Sequence, residues 1–252
     1  MAELVRRARL KIGWPSGRAG SSPAPGIVEP LLSIAEDLER RDERAAEELL
    51  EVERLQAEVD ALRTHAARVA AFLREVPAMR AAREDEELAA AAERERASAE
   101  LLIAEDELAR IEERGSDSAR LEAARAAQHA RDAAEAAALR VVRAEKERAL
   151  LEQEAAERGA EAELLERRGS ELAAHPRLEH DVAAPATGLH GLLDWAARAR
   201  GHLIVAHAGL ATERDKIVRE ATELVASVLG EPLVSAGAKG VRERLERALG
   251  LH

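Results

Sequence analysis

Residues 31–76 read LLSIAEDLERRDERAAEELLEVERLQAEVDALRTHAARVAAFLREV. Taken alternately at spacings of three and four, they give Leu31, Ile34, Leu38, Arg41, Ala45, Glu48, Val52, Leu55, Val59, Leu62, Ala66, Val69, Leu73 and Val76. Only Arg41 and Glu48 interrupt an apolar seam held over many heptads, which is the pattern of a coiled coil rather than of a globular helix. Glu and Arg crowd the positions between, as solvated flanks do. A seam of this length requires a partner surface of similar length, from the rest of the chain or from a second copy. The two polar interruptions have three readings: they fix register and oligomer state, they pair across the interface, or they mark a loose stretch near the end of the rod.

The composition points the same way. Of 252 residues, 46% are apolar and 35% charged, and the aromatics are only Trp14, Phe72 and Trp195. Large side chains dominate core burial, so a chain this poor in them builds thin helix-to-helix seams instead of a thick core. An excess of Ala, Glu, Leu and Arg belongs to long helices and coiled coils.

The net charge of -11 arises from 49 acidic and 38 basic residues interleaved every few positions. Nucleic-acid binding requires a concentrated basic footprint, and none is expected in the body of the chain. There is no cysteine, hence no disulfide framework, thiolate metal site or thiol nucleophile. No apolar run approaches the ~18 residues needed to span a bilayer, and the first residues lack the apolar core of a secretory signal. These features read as a soluble, cytoplasmic protein.

Working outward from the seam, residues 1–12 (MAELVRRARLKI) form a basic amphipathic segment, with Arg6, Arg7, Arg9 and Lys11 around its polar sides. Segments of this type lie on anionic membrane surfaces or dock in a partner's groove. Residues 13–30 carry four Gly and four Pro and read as a flexible linker, with Trp14 a candidate anchor. Pro77 lies inside the helical pattern, where a kink is expected.

The repeat resumes through Ala90, Arg94, Ala97, Leu101, Ala104, Leu108 and Ile111 and meets Arg114-Gly115-Ser116-Asp117-Ser118. Gly115 suits a left-handed helix end, and Ser116, Asp117 or Ser118 suits a new cap, so the chain is expected to reverse there. Beyond it an Ala-lined seam runs through Ala123, Ala127, Ala130, Ala134, Ala137, Val141, Ala144, Arg148, Leu151, Ala155, Arg158, Ala162, Leu165, Gly169 and Leu172. Two small-residue seams flanking a turn predict a tight antiparallel hairpin, with softness at Gly159 and Gly169.

The Pro-containing stretch 175–188 marks a boundary, and Thr187 or Asp181 suits the cap of the next helix. That helix, about 188–229, carries Leu189, Leu193, Ala196, Leu203, His207, Leu210, Ile217, Leu224 and Val228, with Leu192, Trp195, Ile204 and Val225 widening the stripe. Gly230 and Pro232 stop it before a last helix near 236–249. The predicted fold is all-α: a long antiparallel coiled-coil hairpin rod over 30–175, preceded by the basic terminus and linker of 1–29 and followed by a helical association domain over 186–252.

Sites for chemistry are sparse. His202 and His207 are five apart, which misses the spacing that sets two ligands on one helical face. His175 and Glu179 have that spacing with Pro176 between them. Ser235 to Gly240 lacks both the phosphate-loop spacing and a preceding strand. The carboxylates have Arg three or four residues away instead of the burial that shifts acid–base pairs. No catalytic residue, metal or cofactor is therefore expected, and the protein reads as a scaffold or adaptor that associates with itself or another helical protein. The expected surface is the seam of Leu31, Ile34, Leu38, Val52, Leu55, Val59, Leu62, Val69 and Leu73 together with Leu189, Leu193, Trp195, Leu203, Leu210, Ile217, Leu224 and Val228. The alternative is a membrane-surface adaptor using Arg6, Arg7, Arg9, Lys11 and Trp14.

Overall fold

The computed structural model describes residues 25–229, 237–249 and 251. Ala, Leu, Glu and Arg are strong helix formers, and the described residues contain helices and no strand. Helix α1 spans Pro25–Arg114, α2 Asp117–Ala173, α3 Pro176–Glu179, α4 Gly188–Leu229 and α5 Val241–Ala248. The fold is all-α, built on an antiparallel pair of long helices.

Helix α1 continues through Pro77. The proline removes the donor that the Leu73 carbonyl would use, but Pro77 is exposed, so water can replace it. The reversal falls where the sequence placed it, for a different reason at the glycine. Gly115 is not left-handed; among the described residues only Gly188 and Gly240 have positive φ. Its N–H still donates to the Ile111 carbonyl at 2.7 Å, and a Cβ there would stand 2.6 Å from that oxygen. Ser116 is the cap, its hydroxyl accepting from the Ala119 N–H at 3.4 Å.

The described residues divide into two compact units, one of those up to 55 with those from 203 onward and the other of residues 56–202. In the first unit, Leu31, Ala35, Leu38 and Ala45 of α1 pack with Ile217, Ala221, Leu224 and Val225 of α4 and with Ala238, Val241 and Leu245 in and before α5. An eight-residue helix is too short to persist alone in water, so α5 depends on burying Val241 and Leu245 in this cluster.

In the second unit, α1 and α2 run antiparallel, as their cross-pairs show. Arg168 reaches Glu58, His65 reaches Glu161, Arg80 reaches Glu152, Arg83 reaches Glu147, Arg140 reaches Glu93 and Arg131 reaches Glu105. The residue number falls along α2 as it rises along α1. Small side chains make this approach possible: Ala90 packs with Val141 and Ala144, and Ala97, Ala123, Ala127 and Ala137 are buried. The wider end of the same unit buries Leu172, Leu178, Val182, Leu192 and Trp195.

The two α2 glycines differ. Gly159 has open space where its Cβ would be, whereas a Cβ on Gly169 would overlap the Leu192 Cδ1 methyl. Gly169 is thus a close-packing position rather than a soft one, and α2 is unbroken through both. The start of α4 is capped from elsewhere: the Gly188 N–H donates to the Glu166 carboxylate at 2.9 Å. Asp181, one of the two expected caps, instead faces His202 at 3.6 Å.

Candidate helix-association surface

The buried face of α1 in the first unit repeats at four and three as expected, but in a different register from the one that the spacing predicts. Its buried residues are Leu31, Ala35, Leu38, Asp42, Ala45, Leu49, Val52 and Leu55. Ile34, Arg41 and Glu48 each lie one residue off that line and are half-buried. Both registers share Leu31, Leu38, Ala45 and Val52, so the spacing alone does not choose between them. Packing chooses the one with a single polar member, and the two interruptions of the sequence reading disappear. From Leu49 to Val52 to Leu55 the step is three and three, a local break in the repeat of the kind that over-winds a helical seam.

The single polar member is Asp42, 5% exposed, which the sequence reading passed over. One carboxylate oxygen accepts from Arg214 Nε of α4 at 2.9 Å, and the other accepts from the Ala238 backbone N–H at 2.9 Å. A side chain on Gly237 would press its Cβ to 2.6 Å from the same carboxylate, so glycine lets the backbone come this close. A buried carboxylate is tolerated only when its lone pairs are satisfied. Asp42 joins α1, α4 and the strap leading into α5 at one point. The signal that would have found it is the alternative register, in which Asp42 is the lone charge between Leu38 and Ala45.

Arg41 follows the cross-pairing reading: its guanidinium meets Glu213 at 3.2 Å and Glu220 at 3.4 Å on α4. Arg242 adds a polar rim, reaching Glu36 at 3.4 Å while its backbone N–H donates to Glu39 at 3.0 Å. His207, half-buried, lies 3.3 Å from Glu53.

Along the expected α4 stripe, Trp195, Leu203, Ile217 and Leu224 are buried, while Leu189, Leu193, Leu210 and Val228 are half-buried. Leu192, Ala196 and Ala199 complete the buried side in the second unit, and Ile204 faces solvent. On α1 of that unit Val59, Leu62 and Val69 are buried and Leu73 half-buried. The indole N–H of Trp195 has no hydrogen-bond partner among the described residues although the ring is fully buried. Most of the seam anticipated from the sequence is therefore covered by the chain's own helices. Arg6, Arg7, Arg9, Lys11 and Trp14 lie outside the described residues.

Electrostatics along the hairpin come from exposed cross-pairs. Glu152 is held below the usual carboxylate range, chiefly by hydrogen bonding from Arg80, with which it makes a 2.7 Å pair. Glu161 is lowered first by the hydrogen bond from Arg158 and then by that from His65. Arg158 also stands 5.9 Å over the Phe72 ring, within cation–π range. Such exposed pairs contribute little individually; in number they match the two arms in charge.

Large apolar side chains also lie on the outside. Leu88, Leu102 and Ile103 of α1 are exposed, and so are Leu121, Leu139, Val142, Leu150 and Leu164 of α2. At 100° per residue the five α2 positions fall within an arc of about 80°, opposite the buried Ala and Val side. Among the described residues no group of His or carboxylates is placed to hold a metal ion, and no helix is long and apolar enough to cross a membrane. No family model, curated protein or solved structure matches this chain.

Proposed function

We propose that this protein is a non-enzymatic coiled-coil scaffold or adaptor of the cytoplasm, acting through helix–helix association and assembling with copies of itself. The observation that carries this reading is the second apolar face on helices whose first face is already covered. An amphipathic helix in a finished globular fold has one apolar stripe, whereas Leu139 and Val142 of α2 are 71% and 59% exposed on the side away from α1. Exposed apolar rows rimmed by charge are characteristic of interaction surfaces. The four-and-three spacing of the buried residues supports coiled-coil geometry.

The test is absolute molar mass by light scattering over a concentration series of the full chain. The expected result is a mass rising above the 27.3 kDa monomer as concentration increases. A mass that stays at the monomer value throughout overturns self-assembly.

A further inference from the structure

The outer face of α2 carries its own four-and-three repeat, running through positions 121, 125, 128, 132, 135, 139, 142, 146, 149, 153, 156 and 160, all of them exposed. Such a repeat reads identically in both directions, so two copies can lie antiparallel with every layer aligned. Resting on the self-assembly reading, we infer that α2 pairs with α2 of a second copy, antiparallel, about an axis between residues 140 and 141.

The side chains select this register. At its centre Leu139 meets Val142 of the second copy, and the reciprocal contact repeats it, which places the two most exposed large apolar residues of this segment against each other. One layer out on each side, Glu135 faces Lys146. Neither makes an ion pair or hydrogen bond with the described residues, although many of the charged residues along the hairpin do. Two layers further, Gln128 faces Gln153, amides able to donate and accept mutually, and Leu121 then falls opposite Ala160. No layer sets like charges opposite one another. Moving the axis by half a heptad toward the C-terminus puts Lys146 against Val142 and leaves Glu135 without its cation. The repeat spans 40 residues from 121 to 160, about 60 Å of helix at 1.5 Å per residue. Flanking charges that match across a seam set partner and orientation more than raw affinity. A second copy is thus the occupant to which this surface is complementary.

The experiment compares the full chain with Glu135→Lys, Lys146→Glu and the double variant by sedimentation equilibrium. Both substituted positions are exposed and pair with none of the described residues, so folding is retained and is checked by helical circular dichroism. Each single reversal sets like charges together twice per dimer, and dimerisation is expected to weaken about tenfold or more. The double variant restores the pairing with the signs exchanged, and its affinity should return toward that of the parent. Because the chain contains no cysteine, register is read by mixing Leu139→Cys with Val142→Cys protein and oxidising: the mixed disulfide should exceed both like-with-like products. Association untouched by the single reversals, or weakened without rescue in the double variant, overturns α2 pairing while leaving self-assembly intact. A parent chain monomeric at every concentration removes both.

Discussion

Two regions hold their helices together by different means. In the first unit, Leu38, Ile217 and Leu245 are essentially inaccessible and share one apolar cluster, and the same unit buries the Asp42 carboxylate. In the part of the hairpin between residues 83 and 148, the buried side chains are Ala90, Ala97, Ala123, Ala127, Ala137 and Ala144 with a single Val141, flanked by the ion pairs of Arg83, Arg131, Arg140 and Arg148. A buried leucine contributes about 2 kcal/mol through apolar burial, and an alanine much less. The first region is stabilised by bulk and the second by close backbone approach and matched charge. Stability along one protein is thus uneven, and the arms belong to its weaker end.

The sharpest way to break this comparison is to remove bulk in each region. Leu38→Ala should cost about 3 kcal/mol, and Val141→Ala between about 1 and 2 kcal/mol, measured by denaturant unfolding. Equal losses would mean that the arms carry as much packing energy as the first unit. Next is the buried charge: Asp42→Ala strands Arg214 and the Ala238 N–H and should cost about 2 kcal/mol. Protection of the 241–248 amides in hydrogen exchange should fall at the same time; unchanged protection would show that α5 is held by Val241 and Leu245 alone.

A smaller effect separates the two glycines of α2. Gly159→Ala should stabilise the protein by about 0.5–1 kcal/mol, because the position is open and helical. Gly169→Ala should destabilise it instead, since its Cβ meets Leu192; a gain at both positions would mean that Leu192 yields without cost. The smallest effect is electrostatic. Glu152 titrates below its ordinary value of 4.5 in the folded chain because Arg80 favours its charged form. Its contribution is therefore complete above that ordinary value and disappears as pH falls through the lower folded one. The melting temperature of Glu152→Gln should lie slightly below that of the parent at neutral pH, and the gap should close in acid and narrow in high salt.

The helices themselves were legible, because Ala, Leu, Glu and Arg leave the backbone few alternatives over long runs. So was the reversal near Gly115, where a turn residue and a capping serine adjoin. Register was not. The spacing placed Ile34 on the seam, with Arg41 and Glu48 as its two polar interruptions. The buried line instead runs through Ala35, Asp42 and Leu49, where α4 and the strap before α5 supply Arg214 and the Ala238 N–H to the Asp42 carboxylate. Hydrophobicity ranks residues one at a time, whereas an interface ranks them by fit to what lies opposite.

The sequence by itself determined an all-helical chain and the place where it turns back. These follow from local propensity, turn chemistry and composition, which act over a few residues. Only the tertiary structure decided which line of α1 is buried, that Asp42 ties α1 to α4 and to the strap before α5, that Gly169 packs tightly while Gly159 does not, and that α2 presents a second face to solvent. Each of these depends on which residues distant in the chain come to lie side by side. Spacing along one helix limits such choices, and the steric and electrostatic fit of its neighbours makes them.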